Sequence, residues 1–249
     1  MSIKTAIFVE GQTELIFVRE MLLRVFDPED LSFQCTRLLR QEAISANYNY
    51  RTDQNSAFSF DIIQVGNDTS LQSIIVSRAE YFWNKQYFRI IGLRDMFTPQ
   101  YRKRSTQVSP ELNIKIKEAT YHAIKNGASK PEDIHFHYAI MELEAWLLGF
   151  KNFFEKIDAR LTNTFMLEKL GIDLEQVDPE VTFLHPAEIV KKITAHFGSA
   201  YDKHEGEVNA FMANLKKEDF LELRDSGKCA SFSSFFASLP SEPDYMVLA

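Results

Sequence analysis

Cysteine is almost missing from this chain. Only Cys35 and Cys229 occur in 249 residues, far apart and without CxxC or Cys/His ligand spacing, so neither a disulfide framework nor a structural zinc site is suggested. Positive charge is also short, with 28 Lys and Arg against 35 Asp and Glu and a formal net charge of −7. Such a balance argues against coating DNA or an anionic membrane through bulk charge, so any nucleic-acid contact has to use a local basic patch. No apolar run approaches the roughly 18 residues that would span a bilayer, and the chain opens on a strand pattern with no basic-then-apolar leader. A soluble cytoplasmic protein with no membrane partner is therefore expected. Other absences narrow the chemistry. There is no GxGxxG or GxxxxGK[ST] loop to cradle a nucleotide and no GxSxG elbow to present a serine nucleophile. Internal repeats and a Gly/Ser linker are missing too.

What is present is a large apolar share, 45% of residues, enough to bury a sizeable core in one large domain or in a core with a smaller appendage. "IKTAIFVE" (3–10) is short, apolar and β-branched, which predicts a buried strand. In "TELIFVREMLLRVF", Leu15, Val18, Leu22 and Val25 recur at helical spacing, predicting a helix over 13–26 that Asp27-Pro28 stops. The following "RQEAISANYNYRTDQNSA" is polar and aperiodic and reads as a long surface excursion. Further strands are expected at 58–66, 87–95 and 134–140. Each leads into a helical pattern: one capped by Asp68, one from Ser109-Pro110 to Asn126-Gly127, and one beginning at "MELEAWLLGF". Four β-α repeats predict a parallel sheet of about four strands flanked by helices. Beyond residue 150 the strand signal fades, and helices are expected at 164–170, 186–196, 207–215 and 231–239. The expected organisation is an α/β core over 1–150 and a mostly helical region over 151–249 packed on it as a cap.

In such a sheet, ligands bind outside the carboxyl ends of the strands, where loops and helix N-termini converge. Each expected strand end here carries an acid: Glu10, Asp68, Asp95 and Glu142. Asp68 is explained by N-capping alone. For the others, carboxylates gathered at one edge repel one another unless a cation neutralises them, and oxygen-only clusters suit Mg²⁺ or Mn²⁺. Gly11 allows a sharp turn and Glu14 can reach back toward the site. Glu142 and Glu144 lie roughly 200° apart on an ideal helix, or on one face if the local chain is extended. The competing reading of each acid singly is a helix-start residue favoured by the macrodipole.

"FVEGQTE", "IIGLRD" and "MELEAWLL", in this order on successive strand ends, resemble the three motifs of the TOPRIM domain of topoisomerases, primases and OLD-type nucleases. A closer likeness is to an uncharacterised bacterial branch of it, which also carries a "C-x-S-F" motif, here "CASFSSF" (Cys229 to Phe235). The resemblance is dense over 3–150 and thin beyond. It implies a TOPRIM/Rossmann-like fold with Glu10 as general acid/base or metal ligand and Glu14 as a supporting ligand. It makes Asp95 the first acid of a DxD pair and Glu142 or Glu144 the remaining acid. The second DxD position is Phe97, a departure that removes a bridging carboxylate from any two-metal site.

The implied activity is Mg²⁺- or Mn²⁺-dependent phosphodiester hydrolysis, a nuclease on DNA or RNA in bacterial anti-phage defence or a mobile element. Its ATPase, if it has one of the OLD kind, is a separate partner. Two alternatives are a catalytically degenerate TOPRIM-like module that binds nucleic acid or protein, and a small-molecule phosphatase. Arg94 before Asp95, and Arg102, Lys103 and Arg104 in "YRKRSTQ" after it, are candidate phosphate-binding cations, with a solvated charged face as the plainer reading. His135 and His137 share one face of the last expected strand, where packing is favoured over zinc ligation. The roles of His185 and His196 stay open. Trp146, Leu147, Phe150, Phe153 and Phe154 read as core or cap packing.

Overall fold

A computed structural model describes residues 2–39, 42–46, 48–52, 56–66, 71–198 and 201–241. The chain forms two compact units, one of residues 1–94, 114–137 and 237–249 and the other of residues 95–113 and 138–236. Asp68, the expected helix cap, lies outside the described residues.

The first unit is built on an α/β sheet with strands β1 (Ile3–Val9), β2 (Leu31–Leu39), β3 (Glu42–Ser45), β4 (Phe58–Gln64), β5 (Arg89–Asp95) and β6 (Ile134–Ala139). The last residue of β5 and the last two of β6 belong to the second unit. Helices α1 (Gln12–Val25) and α2 (Leu71–Asn84) follow β1 and β4. The sheet has six strands in the order β3-β2-β4-β1-β5-β6, where the sequence predicted about four. β1 pairs in parallel with both β4 and β5, and β2 with β4, whereas β2 and β3 pair antiparallel. The sheet is therefore mixed, though mostly parallel.

The two unforeseen strands have different physical reasons. β2 interrupts its apolar positions with Gln34 and Arg37, and its register against β4 is fixed by partners far along the chain. β3 is exposed at every residue, so hydropathy cannot reveal it; its existence rests on ladder bonds to β2 at the sheet edge. The expected surface excursion is thus partly sheet, and Tyr50 bridges to Phe33 with its ring stacked 5.5 Å away.

The central strand reads as a buried run because it is one. Six of the seven residues of β1 are buried, as expected of a strand covered on both faces. Ala6, Phe8 and Ile90 pack with Leu71, Ile75, Ala79 and Phe82 of α2 in one apolar cluster, and Phe8 meets Phe82 edge-on at 5.5 Å. α1 buries Leu15, Phe17, Val18, Met21 and Leu22. The strand order puts β1 between β4 and β5, so its carboxyl end, followed by Glu10, is a point where the chain reverses its direction of winding across the sheet.

The remaining helices are α3 (Pro99–Arg102), α4 (Pro110–Gly127), α5 (Glu144–Gly149), α6 (Phe153–Ile157), α7 (Asn163–Leu170), α8 (Pro179–Thr182), α9 (Pro186–Ala195), α10 (Glu205–Met212), α11 (Lys217–Asp225) and α12 (Ala230–Ala237). α4 runs between β5 and β6, while the others lie in the second unit apart from the last residue of α12. The second unit has an aromatic core. Trp146 lies edge-on to Phe232 at 5.4 Å and stacks on Phe235 at 5.6 Å, and Phe150 meets Phe220 at 5.2 Å. Each such pair adds about 0.5–1.5 kcal/mol beyond the area it buries. No helix among the described residues is long and apolar enough to cross a membrane.

A carboxylate centre around Lys203

Beyond the last residues of β5 and β6 the chain continues side by side in the second unit. Met96 N donates to Ala139 O at 2.9 Å and Phe97 N to Met141 O at 2.7 Å. Met141 takes a left-handed backbone, φ +66°, which bends the chain between β6 and α5. Glu142 thus stands outside the helix, and the ideal-helix separation of Glu142 and Glu144 does not apply.

Three expected acids are brought together here. Asp95 accepts Leu143 N at 2.9 Å with Oδ1, giving the orphan N–H groups at the start of α5 a charged acceptor. Glu142 accepts Ala187 N at 3.0 Å with Oε2, doing the same for α9. Glu144 is fully buried; its Oε1 accepts the Tyr201 hydroxyl at 2.8 Å and its Oε2 the Lys203 ammonium at 3.0 Å. The same ammonium lies 3.6 Å from Glu142 Oε1. Lys203 adopts φ +59°, a costly backbone for a residue with a Cβ.

The electrostatics follow from this geometry. Burial works against the charge on Lys203, but the surrounding Glu144, Asp95 and Glu142 outweigh it and hold the ammonium above the ordinary lysine range. Burial raises the Glu142 carboxyl, and the Glu144 charge adds to it, while Lys203, the Ala187 N–H and His185 pull it back. Lys203 thus pairs with Glu142 and Glu144, and the Asp95 charge also acts on it.

Among the described residues no group of three or more His, Cys, Asp or Glu is arranged to hold a metal ion by itself. Mg²⁺ does not require such a cage, since it keeps several waters and takes one or two carboxylates together with substrate phosphate. Asp95 and Glu142 supply hard oxygen donors of that kind, and the Lys203 ammonium shows that a cation is held among these acids. Their hard oxygens are of the type that suits a small divalent ion.

Beside the acids, Phe97 is half-buried, with the His185 ring edge-on at 4.4 Å and the Arg102 guanidinium 5.0 Å above its ring centre. Arg102, Lys103 and Arg104 are exposed. Buried Tyr101 anchors this segment: Thr98 accepts Tyr101 N at 3.2 Å, and the Tyr101 hydroxyl accepts Ser109 N at 2.8 Å.

Glu10, Glu14 and Arg94 lie in the first unit. Glu10 Oε2 is 3.3 Å from Arg94 Nε, and its backbone oxygen accepts Gly66 N at 2.9 Å. Arg94 is buried, unlike the three loop cations with which the sequence grouped it. Glu14 reaches back, as expected of its position, but its Oε2 accepts Gly11 N at 2.9 Å and so caps its own helix. A Cβ at position 11 would sit 2.8 Å from Glu14 Oε2, so a larger residue there would displace the capping carboxylate.

No protein-family model, curated protein or solved structure matches this chain. The chemistry of the centre therefore has to be read from its own residues.

The "CASFSSF" segment turns out to be a clasp inside the second unit. Ser231 donates through both its N–H and its hydroxyl to buried Glu180, which also accepts Trp146 Nε1 at 2.9 Å. Burial raises the Glu180 carboxyl, and these donors oppose the shift. Gly149 is required because a Cβ would lie 2.6 Å from Cys229 Sγ. Cys229 is itself buried, and desolvation pushes its thiol up, away from nucleophilic chemistry. His137 is held neutral by burial, its pKa lowered to about 3, with His135 and Lys117 adding to the effect. Sequence reasoning missed Lys203, Tyr201 and Glu180. All three lie more than thirty residues beyond the strand ends, in stretches with no motif or periodicity to mark them.

Proposed function

We propose that Asp95, Glu142 and Lys203 form the centre of a single-metal phosphodiesterase, and that the chain is a TOPRIM-like nuclease acting on DNA or RNA. The observation that supports this reading is Lys203: a cation is held where the charges of Asp95, Glu142 and Glu144 act together. Asp95 and Glu142 would hold Mg²⁺ or Mn²⁺. When bound, such an ion polarises a phosphoryl oxygen and lowers the pKa of a coordinated water.

The chain's own residues have separate tasks in this reading. Glu144, fully buried and engaged by Tyr201 and Lys203, fixes the ammonium in place rather than ligating an ion. Lys203 presents positive charge where a phosphate gains negative charge. The exposed Arg102, Lys103 and Arg104 hold flanking phosphates as counter-charges. An ATPase on a separate chain and a setting in bacterial anti-phage defence belong to the same proposal.

The test is cleavage of labelled single- and double-stranded DNA and RNA by purified protein with Mg²⁺, Mn²⁺ or EDTA. Asp95→Asn and Glu142→Gln, with unchanged circular dichroism, are expected to abolish metal-dependent cleavage. Cleavage as fast as wild type in both variants, or cleavage indifferent to EDTA, refutes the assignment.

A second reading, a module that binds without catalysis, is favoured by Phe97 and by an ammonium that already neutralises part of the acid cluster. Calorimetry separates the two: nucleic-acid or protein binding with no uptake of Mn²⁺ supports the second.

A further inference from the structure

We propose that Phe97 and Arg102 form a stacking platform for an unpaired base of a single-stranded nucleic acid. The inference deepens the phosphodiesterase reading by naming its substrate class, and it rests on that reading for the presence of a phosphate-bearing ligand.

Three observations carry it. First, Phe97 is no ordinary core residue: it is half-buried, it stands two residues past Asp95, and its N–H is tied to Met141, the neighbour of Glu142. The backbone that carries the ring is thereby held beside that of the residue before Glu142. Secondly, exposed polar groups border it as well as the buried Tyr101 ring, whose centroid lies 6.2 Å away. Exposed His185 abuts it edge-on at 4.4 Å with an interplanar angle of 84°, and the exposed Arg102 guanidinium is centred 5.0 Å over the ring. An aromatic ring covered by a guanidinium offers the planar, cationic surface on which bases stack without sequence preference. Thirdly, the next two residues, Lys103 and Arg104, are exposed cations, so a backbone leaving the platform meets counter-charge at once. In a duplex both faces of a base are covered by its neighbours, so the platform selects unpaired bases.

The platform also gives a reason for the ring at a position where an acid was expected. A carboxylate there would repel the substrate phosphate or bind a second ion; a phenyl ring instead contributes grip on the base.

The experiment is fluorescence anisotropy of a labelled oligo(dT), an oligo(U) and a fully abasic strand of equal length, all in EDTA, so that metal plays no part. Equal phosphate content makes the ratio of base-bearing to abasic affinity a measure of stacking alone. That ratio is expected to be about tenfold in the wild type, the order expected of a single base stacked on an aromatic side chain. Phe97→Leu, which keeps apolar volume but removes the π face, is expected to bring it close to one, and Phe97→Trp to restore it. Arg102→Ala is expected to lower it, whereas a Lys103→Ala/Arg104→Ala double variant weakens both kinds of strand alike. Similar effects for oligo(dT) and oligo(U) show that the base, not the sugar, is read. A wild-type ratio near one, or a ratio unchanged in Phe97→Leu, overturns the proposal.

Mn²⁺ calorimetry on the same samples keeps the two ideas apart. Metal uptake with no base discrimination defeats the platform alone. Base discrimination lost in Phe97→Leu, with no metal uptake, defeats the metal reading and leaves the platform standing.

Discussion

Replacing Lys203 with methionine isolates the electrostatic design of the carboxylate centre. Glu144 has no exposure, and Lys203 is its cation at 3.0 Å, with a side chain about one-third exposed at 36%. Breaking a buried pair by removing one partner costs about 3–5 kcal/mol, because the other charge is left uncompensated. Partial exposure of the ammonium discounts this, so about 2–4 kcal/mol is expected at neutral pH. The loss should depend on pH. Without the ammonium, the Glu142 carboxyl, already raised by burial and by the Glu144 charge against the opposing pull of Lys203, moves further above its unfolded value near 4.3. A carboxyl raised on folding binds its proton more tightly in the native state, so its penalty is greatest above the folded pKa and shrinks as pH falls toward the unfolded value. Urea denaturation followed by circular dichroism should therefore show a variant far weaker than wild type at pH 7.5 and much closer to it at pH 5. Because the charges are coupled, Lys203→Met/Glu144→Gln should be less destabilised than the sum of its single variants. A change below about 0.5 kcal/mol at pH 7.5, within the range of an inconsequential surface substitution, would refute the reasoning. So would a loss independent of pH.

Two other substitutions probe the packing and titration described above. Gly149→Ala forces a Cβ to within 2.6 Å of Cys229 Sγ and should cost about 1–3 kcal/mol as overpacking. Adding Cys229→Ala in the same chain should recover part of that in thermal melts, and no recovery would point to another cause. For His137, lowered to about 3 by burial, the imidazole signals in NMR should stay those of the neutral ring from pH 8 down to about pH 4.5. Since the unfolded chain protonates near 6.5, this residue contributes stability in full above that value and loses it progressively as pH falls toward 3. His137→Gln should flatten the acid limb of the stability profile.

The elements legible in the sequence are those whose burial is local. β1 shows itself as a short, mostly apolar run, α1 as a 3.6-residue repeat, and α4 by a proline at its start and a glycine at its stop. β2 and β3 were not legible, because each is defined by a partner elsewhere: β2 by its register with β4, and β3, wholly exposed, by backbone bonds to β2. In the second unit the helices at Asn163–Leu170, Pro186–Ala195, Glu205–Met212 and Ala230–Ala237 were readable to within a few residues. Lys217–Asp225 was not: its buried residues are only Phe220 and Leu223, and apart from the half-buried Leu221 the rest of it is charged.

The candidate centre divides along the same physical line. Asp95 and Glu142 could be named from sequence because acids at strand ends have a positional meaning that topology supplies. Lys203 could not, since a lysine is informative only once the carboxylates around it are known, and the chain separates it from Glu144 by most of a helical unit. The left-handed Met141 matters equally, for without that bend Glu142 and Glu144 would point apart and no single ammonium could lie 3.6 Å from one and 3.0 Å from the other. Phe97 shows the converse. Judged against an acidic pattern, it registered as a lost carboxylate. With Arg102 and His185 beside it and the buried Tyr101 ring behind its segment, the same ring has a partly cationic setting, and it is this setting that the proposed base-stacking surface uses.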